Sequence, residues 1–360
     1  MTGHLPDLLV VGGGPAGLSA AIAARLAGLQ VRLIDASHPP IDKACGEGIM
    51  PDGVALLERL GVEIPAGNRF AFKGIRWIDG EVTAQAPLPG APGWGVRRLI
   101  LHAALVRRAE TIGVELCWGV TARTLTDDGV VTSQGVAPSR FIVAADGLRS
   151  RFRRESGLEG PPASRRRLGL RRHYAVAPWT DHVEVHWGDD AEAYVTPLCP
   201  NQVGVAMLFE GGPADFDLLL GRFPALAARL AGVPASSTVR GAGPLEQRVR
   251  AVVRGRLALV GDAAGFVDAI TGEGLSLALH DAFAVTDAIT RGDLAFYAAA
   301  HRRSVRLPCL TTKLLLAVER RPRLRRALIR ALSGDTGLFR ALLALHVRSL
   351  KSAPDGALPP

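Results

Sequence analysis

A chain of 360 residues with 48% hydrophobic and only 5% aromatic content has the length for about two domains and enough apolar material for a large core. Its net charge of +9 is local: residues 301–351 hold 13 Lys and Arg against two acidic residues, and no nucleic-acid motif accompanies them, which excludes a nucleic-acid reader. The four cysteines, Cys45, Cys117, Cys199 and Cys309, lie far apart without a CxxC pair, which argues against zinc or a disulfide framework and for a reducing compartment.

Leu8–Val11 is a short apolar run that predicts a buried parallel strand, and Asp7 with the glycine motif inside this N-terminal stretch argues against a targeting or spanning segment. Gly12, Gly14 and Gly17 follow with G-x-G-x-x-G spacing, and Pro15 and Ala16 open a helix predicted to Leu26. That spacing permits a tight turn, close approach of backbone to a pyrophosphate, and close packing of helix on strand. The helix N-terminus then holds the diphosphate through free amides and its dipole. A second strand, Val31–Ile34, ends at Asp35, eighteen residues past Gly17. This is close to the roughly 20 expected of a ribose-binding carboxylate.

Pro51–Leu60 predicts a helix, Phe72–Trp77 and Val82–Ala86 strands, and Pro87, Pro89, Gly90, Pro92 and Gly93 a loop. Arg98–Ile112 reads as an amphipathic helix, Val114–Cys117 as a strand, and Phe141–Ala144 as a return to the nucleotide sheet, ending at Ala145-Asp146-Gly147. Arg171–Val176, His182–Trp187, Glu192–Thr196 and Val203–Phe209 predict an antiparallel meander, the substrate sheet. Leu257–Val260 comes back as a core strand before Gly261-Asp262-Ala263-Ala264-Gly265 and Gly272-Glu273-Gly274, and a long helix runs to Thr290.

The basic tail carries Arg320, Arg321, Arg323, Arg325 and Arg326 ahead of a helical pattern, then Leu342, Leu343, Leu345 and Val347 on a last helix. It reads either as a solvated capping helix or as an amphipathic surface that lies on an anionic membrane.

With these motifs in this order the chain resembles the FAD-dependent group of geranylgeranyl reductases, p-hydroxybenzoate-hydroxylase-type monooxygenases and flavin halogenases. The resemblance extends to Asp42-Lys43-Ala44-Cys45-Gly46-Glu47-Gly48, similar to the loop beside the flavin ring in the reductases, to Gly95-Val96-Arg97-Arg98, and to Tyr194-Val195-Thr196-Pro197. It implies an α/β (α+β) fold: a Rossmann-like FAD-binding domain (1–70, 96–165, 250–300) interleaved with an antiparallel substrate sheet (71–95, 166–249), and a helical region over 301–360. It also implies that Lys43, Cys45, Gly46 and Arg98 lie against FAD. Asp146 and Gly147 would support its ribose, Asp262 the ribityl or phosphate region, and Gly272, Gly274, Leu275 and Ser276 the pyrimidine edge. Amides at that helix N-terminus stabilise negative charge on a reduced flavin.

Ala269 stands where many relatives have proline, which weakens any copied hydroxylation geometry, and no halogenase tryptophan motif is present. Cys45 reads as a thiol of lowered pKa acting near the flavin, or as a small packing residue. Glu47 and Glu273 are either proton relays or capping groups; His173, His182 and His186 fall in the substrate sheet, and His182 and His186 share strand parity and could face one cavity, but neither is taken as a catalytic base. Arg149, Arg151, Arg153 and Arg154 suit a phosphate or an exposed helix.

The expected activity is NADH- or NADPH-dependent monooxygenation of an aromatic or other small apolar substrate through a flavin hydroperoxide. The alternatives are reduction of prenyl or polyketide double bonds, and flavin or lipid binding without turnover. Electrons come from the nicotinamide or from a separate reductase. The expected location is cytoplasmic, with peripheral contact at the inner face of the membrane as its variant.

Overall fold

The structure, a computed structural model, describes residues 5–351, with side chains to Ala344; Leu345 and Val347 lie on the last helix, as expected, and the outermost ends of the domain scheme lie outside the described residues. Leu8–Val11 is completely buried and pairs in parallel with Val31–Asp35 on one side and Phe141–Ala144 on the other. Glu115–Trp118 extends this sheet beyond Val31–Asp35, and Leu257–Leu259 extends it beyond Phe141–Ala144, with Val253–Arg254 antiparallel at the edge. Four apolar residues in a row suit a strand covered on both faces.

The helices are α1 (Pro15–Leu26), α2 (Pro51–Arg59), α3 (Arg98–Thr111), α4 (Arg151–Glu155), α5 (Phe216–Leu220), α6 (Pro224–Leu230), α7 (Gly274–Thr290), α8 (Ala295–Glu319), α9 (Pro322–Gly334) and α10 (Thr336–Lys351). Helix α1 packs between α3 and α7, and its small residues Ala20, Ala21, Ala23 and Ala24 are fully buried.

The second sheet has seven strands and is antiparallel except where His182–Trp187 runs parallel to Gly74–Asp79. The strand expected over Phe72–Trp77 is instead two. Phe70–Phe72 joins Gly93–Gly95 and Gly48–Ile49 in a small sheet, and Gly74–Asp79 joins the large one. The break falls at Lys73, whose amide donates to Asp181 O and whose carbonyl accepts from Leu88 N, so the strand changes sheets without losing backbone partners.

Alternation sorts the large sheet. Leu170, Tyr174, Val203, Val205, Met207 and Phe209 meet α5 and α6 in an apolar cluster on one side. Arg167, Arg171, His173, Tyr194 and Thr196 share the other, which faces the nucleotide domain.

The arginine-rich tail caps the outer strands of this sheet. Ile329, Leu332, Phe339 and Leu343 pack on Trp77 and Trp187, with Trp77 and Phe339 ring centroids 4.8 Å apart. Arg325 is buried and donates to Asp79 at 2.7 Å, to Asp189 at 3.0 Å and to the Gly188 carbonyl at 2.6 Å. A buried guanidinium needs that many acceptors to offset desolvation.

Candidate cofactor and active site

Gly12 sits at φ +110°, and a Cβ there would fall 2.4 Å from the Ala145 carbonyl oxygen. A Cβ on Gly17 would come within 1.8 Å of the Gly12 oxygen, so α1 and its strand touch backbone to backbone. Asp35 lies under this turn: its carboxylate accepts from Gly13 N at 2.6 Å and Ser37 N at 2.7 Å. His102 Nε2 lies 2.9 Å from the Gly13 carbonyl and donates to it, and burial lowers its pKa, so the ring is neutral. No side chain caps the N-terminus of α1. These residues fit a dinucleotide: bare amides for a diphosphate, a placed carboxylate for a ribose, and Arg98 Nη2 3.9 Å from where a Gly14 Cβ would be.

The other motifs close on the same place. Asp146 accepts from Arg151 N at 2.7 Å and Phe152 N at 3.3 Å, which caps α4, while its other oxygen is buried without a partner. Arg153, buried, donates to the carbonyls of Leu148, Asp262 and Ala263 and to Gln247, stapling the second motif to the third. Arg149 is bonded to the Gly243 carbonyl, Arg151 to Glu155 and Arg154 to the Arg149 carbonyl, so this cluster is taken up by structure rather than waiting for a phosphate. Burial pushes the Asp262 carboxyl up against the pull of Arg98, Lys43 and Arg153, which places those three cations around it. The Lys43 ammonium also faces Gly147, 3.9 Å from where its Cβ would be.

Gly274, Leu275 and Ser276 form the first turn of α7, preceded by Gly272 and Glu273. Glu273 is buried, and neither carboxylate oxygen has a well-formed hydrogen bond. Burial pushes it up to about 8; Thr271 relieves this only in part, and Asp52 adds to it. Tyr194 OH reaches across from the sheet to within 3.0 Å of the Ile270 carbonyl, holding the preceding loop.

The loop carrying Cys45 is fastened on all sides. Arg171 donates to Asp42 at 2.5 Å and to the Lys43 carbonyl at 3.2 Å; Thr196 donates to the Gly46 carbonyl at 2.9 Å. Glu47, at φ +61°, accepts from the Arg98 amide at 2.8 Å and meets His173 Nε2 at 2.5 Å. Facing the Glu47 carboxylate, Nε2 donates, while Nδ1 lies 2.7 Å from Ser237 Oγ and 3.3 Å from Arg171. The Glu47 amide donates to Cys45 Sγ at 3.4 Å.

Of the two readings of Cys45, the lowered pKa does not hold: desolvation raises it, outweighing Arg98 and Arg171. His182 and His186 do share a face, but it is the one turned from the nucleotide domain, where they pair with Asp181 and Glu184. On the sheet side the histidine at the site is His173, with Arg171 beside it. Their period-two match to Tyr194 and Thr196 was the signal for them.

A family model described as an FAD binding domain matches residues 6–198. Menaquinone reductase of Mycobacterium tuberculosis is 30% identical over 316 residues, covering 80% of this chain and 78% of its own. The 3-amino-4-hydroxybenzoate 2-monooxygenase PtnB3 of Streptomyces platensis is 26% identical over 350 residues, 85% of each chain. The structure of halogenase PltM superposes with a TM-score of 0.78 at 17% identity over 97% of this chain and 90% of that one, a likeness of fold. The matched domain, the relatives and the geometry of the three glycine motifs agree: the chain belongs to the FAD binding domain family and is an FAD-dependent oxidoreductase.

Proposed function

We propose that the protein is a reductase that saturates a carbon–carbon double bond in a prenyl or polyketide chain, a prenylated quinone being the favoured substrate class. The observation that carries this reading is the Cys45 loop, fixed between the glycine motifs and the substrate sheet, with a half-buried thiol whose pKa desolvation raises. The similarity to a menaquinone reductase over most of both chains supports it.

FAD, held by the Gly12–Gly17 turn, Asp35, Arg98 and the first turn of α7, supplies hydride chemistry when bound. Cys45 would complete the saturation: the two hydrogens added to the alkene would be a hydride supplied by the cofactor and a proton from Cys45 Sγ–H, the thiolate recovering its proton from solvent. A thiol of raised pKa is suited to donate rather than to attack. Electrons come from NADH, NADPH or a separate reductase. Lys43 and Arg98 stabilise charge on the cofactor, and Thr196, Arg171 and His173 hold the loop in place.

Oxygenation of an aromatic substrate is the second reading, favoured by the match to PtnB3 over 85% of each chain. Against it stands Ala269, where the resemblance leads one to expect proline in many relatives, which weakens a copied hydroxylation geometry. The two differ in whether oxygen is consumed. The test reduces the FAD-loaded protein anaerobically with dithionite and mixes it with a menaquinone or a geranylgeranyl compound. Reoxidation of the flavin without oxygen, with a product whose side chain carries two more hydrogens after any quinol has been reoxidised in air, supports the reductase. Reoxidation only by oxygen, with a phenol gaining an oxygen atom, supports the monooxygenase. A flavin that no reductant reduces supports binding without turnover.

A further inference from the structure

Among the described residues no helix is long and apolar enough to cross a membrane, yet α8 exposes a face that water does not favour. Leu310 and Leu314, one turn apart, are each 62% exposed. On the same face, at helical spacing, stand Arg303, Arg306, Lys313 and Ala317, all exposed. A single exposed leucine is ordinary; a pair bracketed by cations whose aliphatic stems extend the apolar strip is an interfacial pattern. Leu324 on α9 and Leu338 on α10 are also exposed, at 45% and 51%.

The charge is one-sided for a structural reason. Of the two acidic residues in 301–351, Glu319 is buried against Arg167 at 2.5 Å and Arg165 at 3.3 Å, and Asp335 accepts from Leu338 N at the start of α10. Arg303, Arg306 and Lys313 have no carboxylate partner among the described residues, so this face offers leucines and unneutralised cations together.

The opposite side of α8 backs the candidate active site. Thr312 meets Thr271 at 3.4 Å, and Leu316 packs in one cluster with Ile270, in the loop that leads into α7. The exposed row is therefore one helix thickness from that loop.

We propose that the Arg303–Ala317 face of α8 is a docking surface for a membrane rich in anionic phospholipid, the leucines entering the headgroup boundary and the cations meeting phosphates. Its use, delivery of a lipid-borne substrate to the site behind α8, rests on the reductase reading; the binding itself does not.

The experiment sediments the FAD-loaded full chain with vesicles of phosphatidylglycerol and phosphatidylcholine, and with vesicles of phosphatidylcholine alone. Wild type is expected to bind the anionic vesicles and to release at high salt. Leu310→Asp with Leu314→Asp, and separately Arg303→Glu with Arg306→Glu, are expected to lower binding by about tenfold each, with FAD content and circular dichroism unchanged. Equal binding to neutral vesicles, or undiminished binding by both double variants, overturns the proposal. So does a wild-type dimer that the leucine variants convert to monomer, since the face would then belong to a second copy. Vesicle binding with no reductase activity would uphold the surface and reject the reaction.

Discussion

The carboxylate of Glu47 and the imidazole of His173, 126 residues apart, meet at 2.5 Å with both side chains buried, one from the loop beside the glycine motifs and the other from the substrate sheet. The contact joins the two halves of the site. Removing one member leaves a buried donor without an acceptor, so Glu47→Ala should cost about 3 kcal/mol. Because Arg98 N also loses its acceptor, flavin should dissociate faster. Urea unfolding and flavin release measure both. Unchanged stability would reduce the pair to a passive contact.

Gly17→Ala puts a methyl 1.8 Å from the Gly12 carbonyl oxygen, a backbone atom that has nowhere to move. The helix must lift from its strand, at a cost of about 1–3 kcal/mol. Flavin content, read as the ratio of visible to protein absorbance, should fall. Gly67→Ala, with nothing within 4 Å of the new methyl and no place in the cofactor site, serves as the control.

Asp35→Ala removes the carboxylate held by Gly13 N and Ser37 N. Folded protein with at least about tenfold weaker FAD binding is expected, the loss of a charge-assisted hydrogen bond to the ribose. Full flavin retention would remove Asp35 from the cofactor site.

Cys45 is raised by burial, so its thiolate is scarce throughout the neutral range. Alkylation of the Cys45 peptide by iodoacetamide should be slow at neutral pH and still rising above the ordinary thiol pKa, because only the thiolate reacts. Rapid neutral labelling would contradict a proton-donor thiol. Under the reductase reading, Cys45→Ala should lower turnover by roughly 10²-fold or more while leaving FAD bound, the usual scale for losing a general acid.

Glu273, with a folded pKa of about 8 against an unfolded value of 4.5, binds its proton more tightly in the native state. Its ionisation therefore opposes folding: the penalty is absent below the unfolded value, grows between pH 4.5 and about 8, and is complete above. Glu273→Gln should match wild type near pH 4 to 5 and exceed it by a few kcal/mol at pH 8 and above. Thermal melts across that range test the sign. A variant less stable at high pH would mean that the ionised carboxylate has a partner in the folded protein.

Much of the FAD-binding half was legible in the residues themselves. A buried strand, a glycine turn, a helix and a carboxylate at the next strand end are local requirements, met within Leu8–Asp35, and their geometry is dictated by backbone approach. The start of α7 and the presence of the meander followed from Gly274 and from β-branched alternation, but its first strand runs Arg167–Tyr174 rather than Arg171–Val176. The break at Lys73 was not legible, since it is decided by which sheet has free backbone partners at each end.

What only the tertiary structure decided was the direction in which side chains look. Alternation groups His182 with His186 and His173 with Arg171, but which group faces the cofactor domain depends on which face α5 and α6 cover. The same holds for charge. Lys43 beside Cys45 suggested an acidic thiol, but desolvation, a property of everything packed around it, reverses the shift. In the basic tail, composition set the excess of cations. Burial of Arg325 and Glu319, and exposure of Arg303, Arg306, Leu310 and Leu314, settled which part caps the sheet and which part faces out. Sequence specifies the local turns and the periodicity; long-range packing alone determines which face is buried, and burial sets the energetics of every group on it.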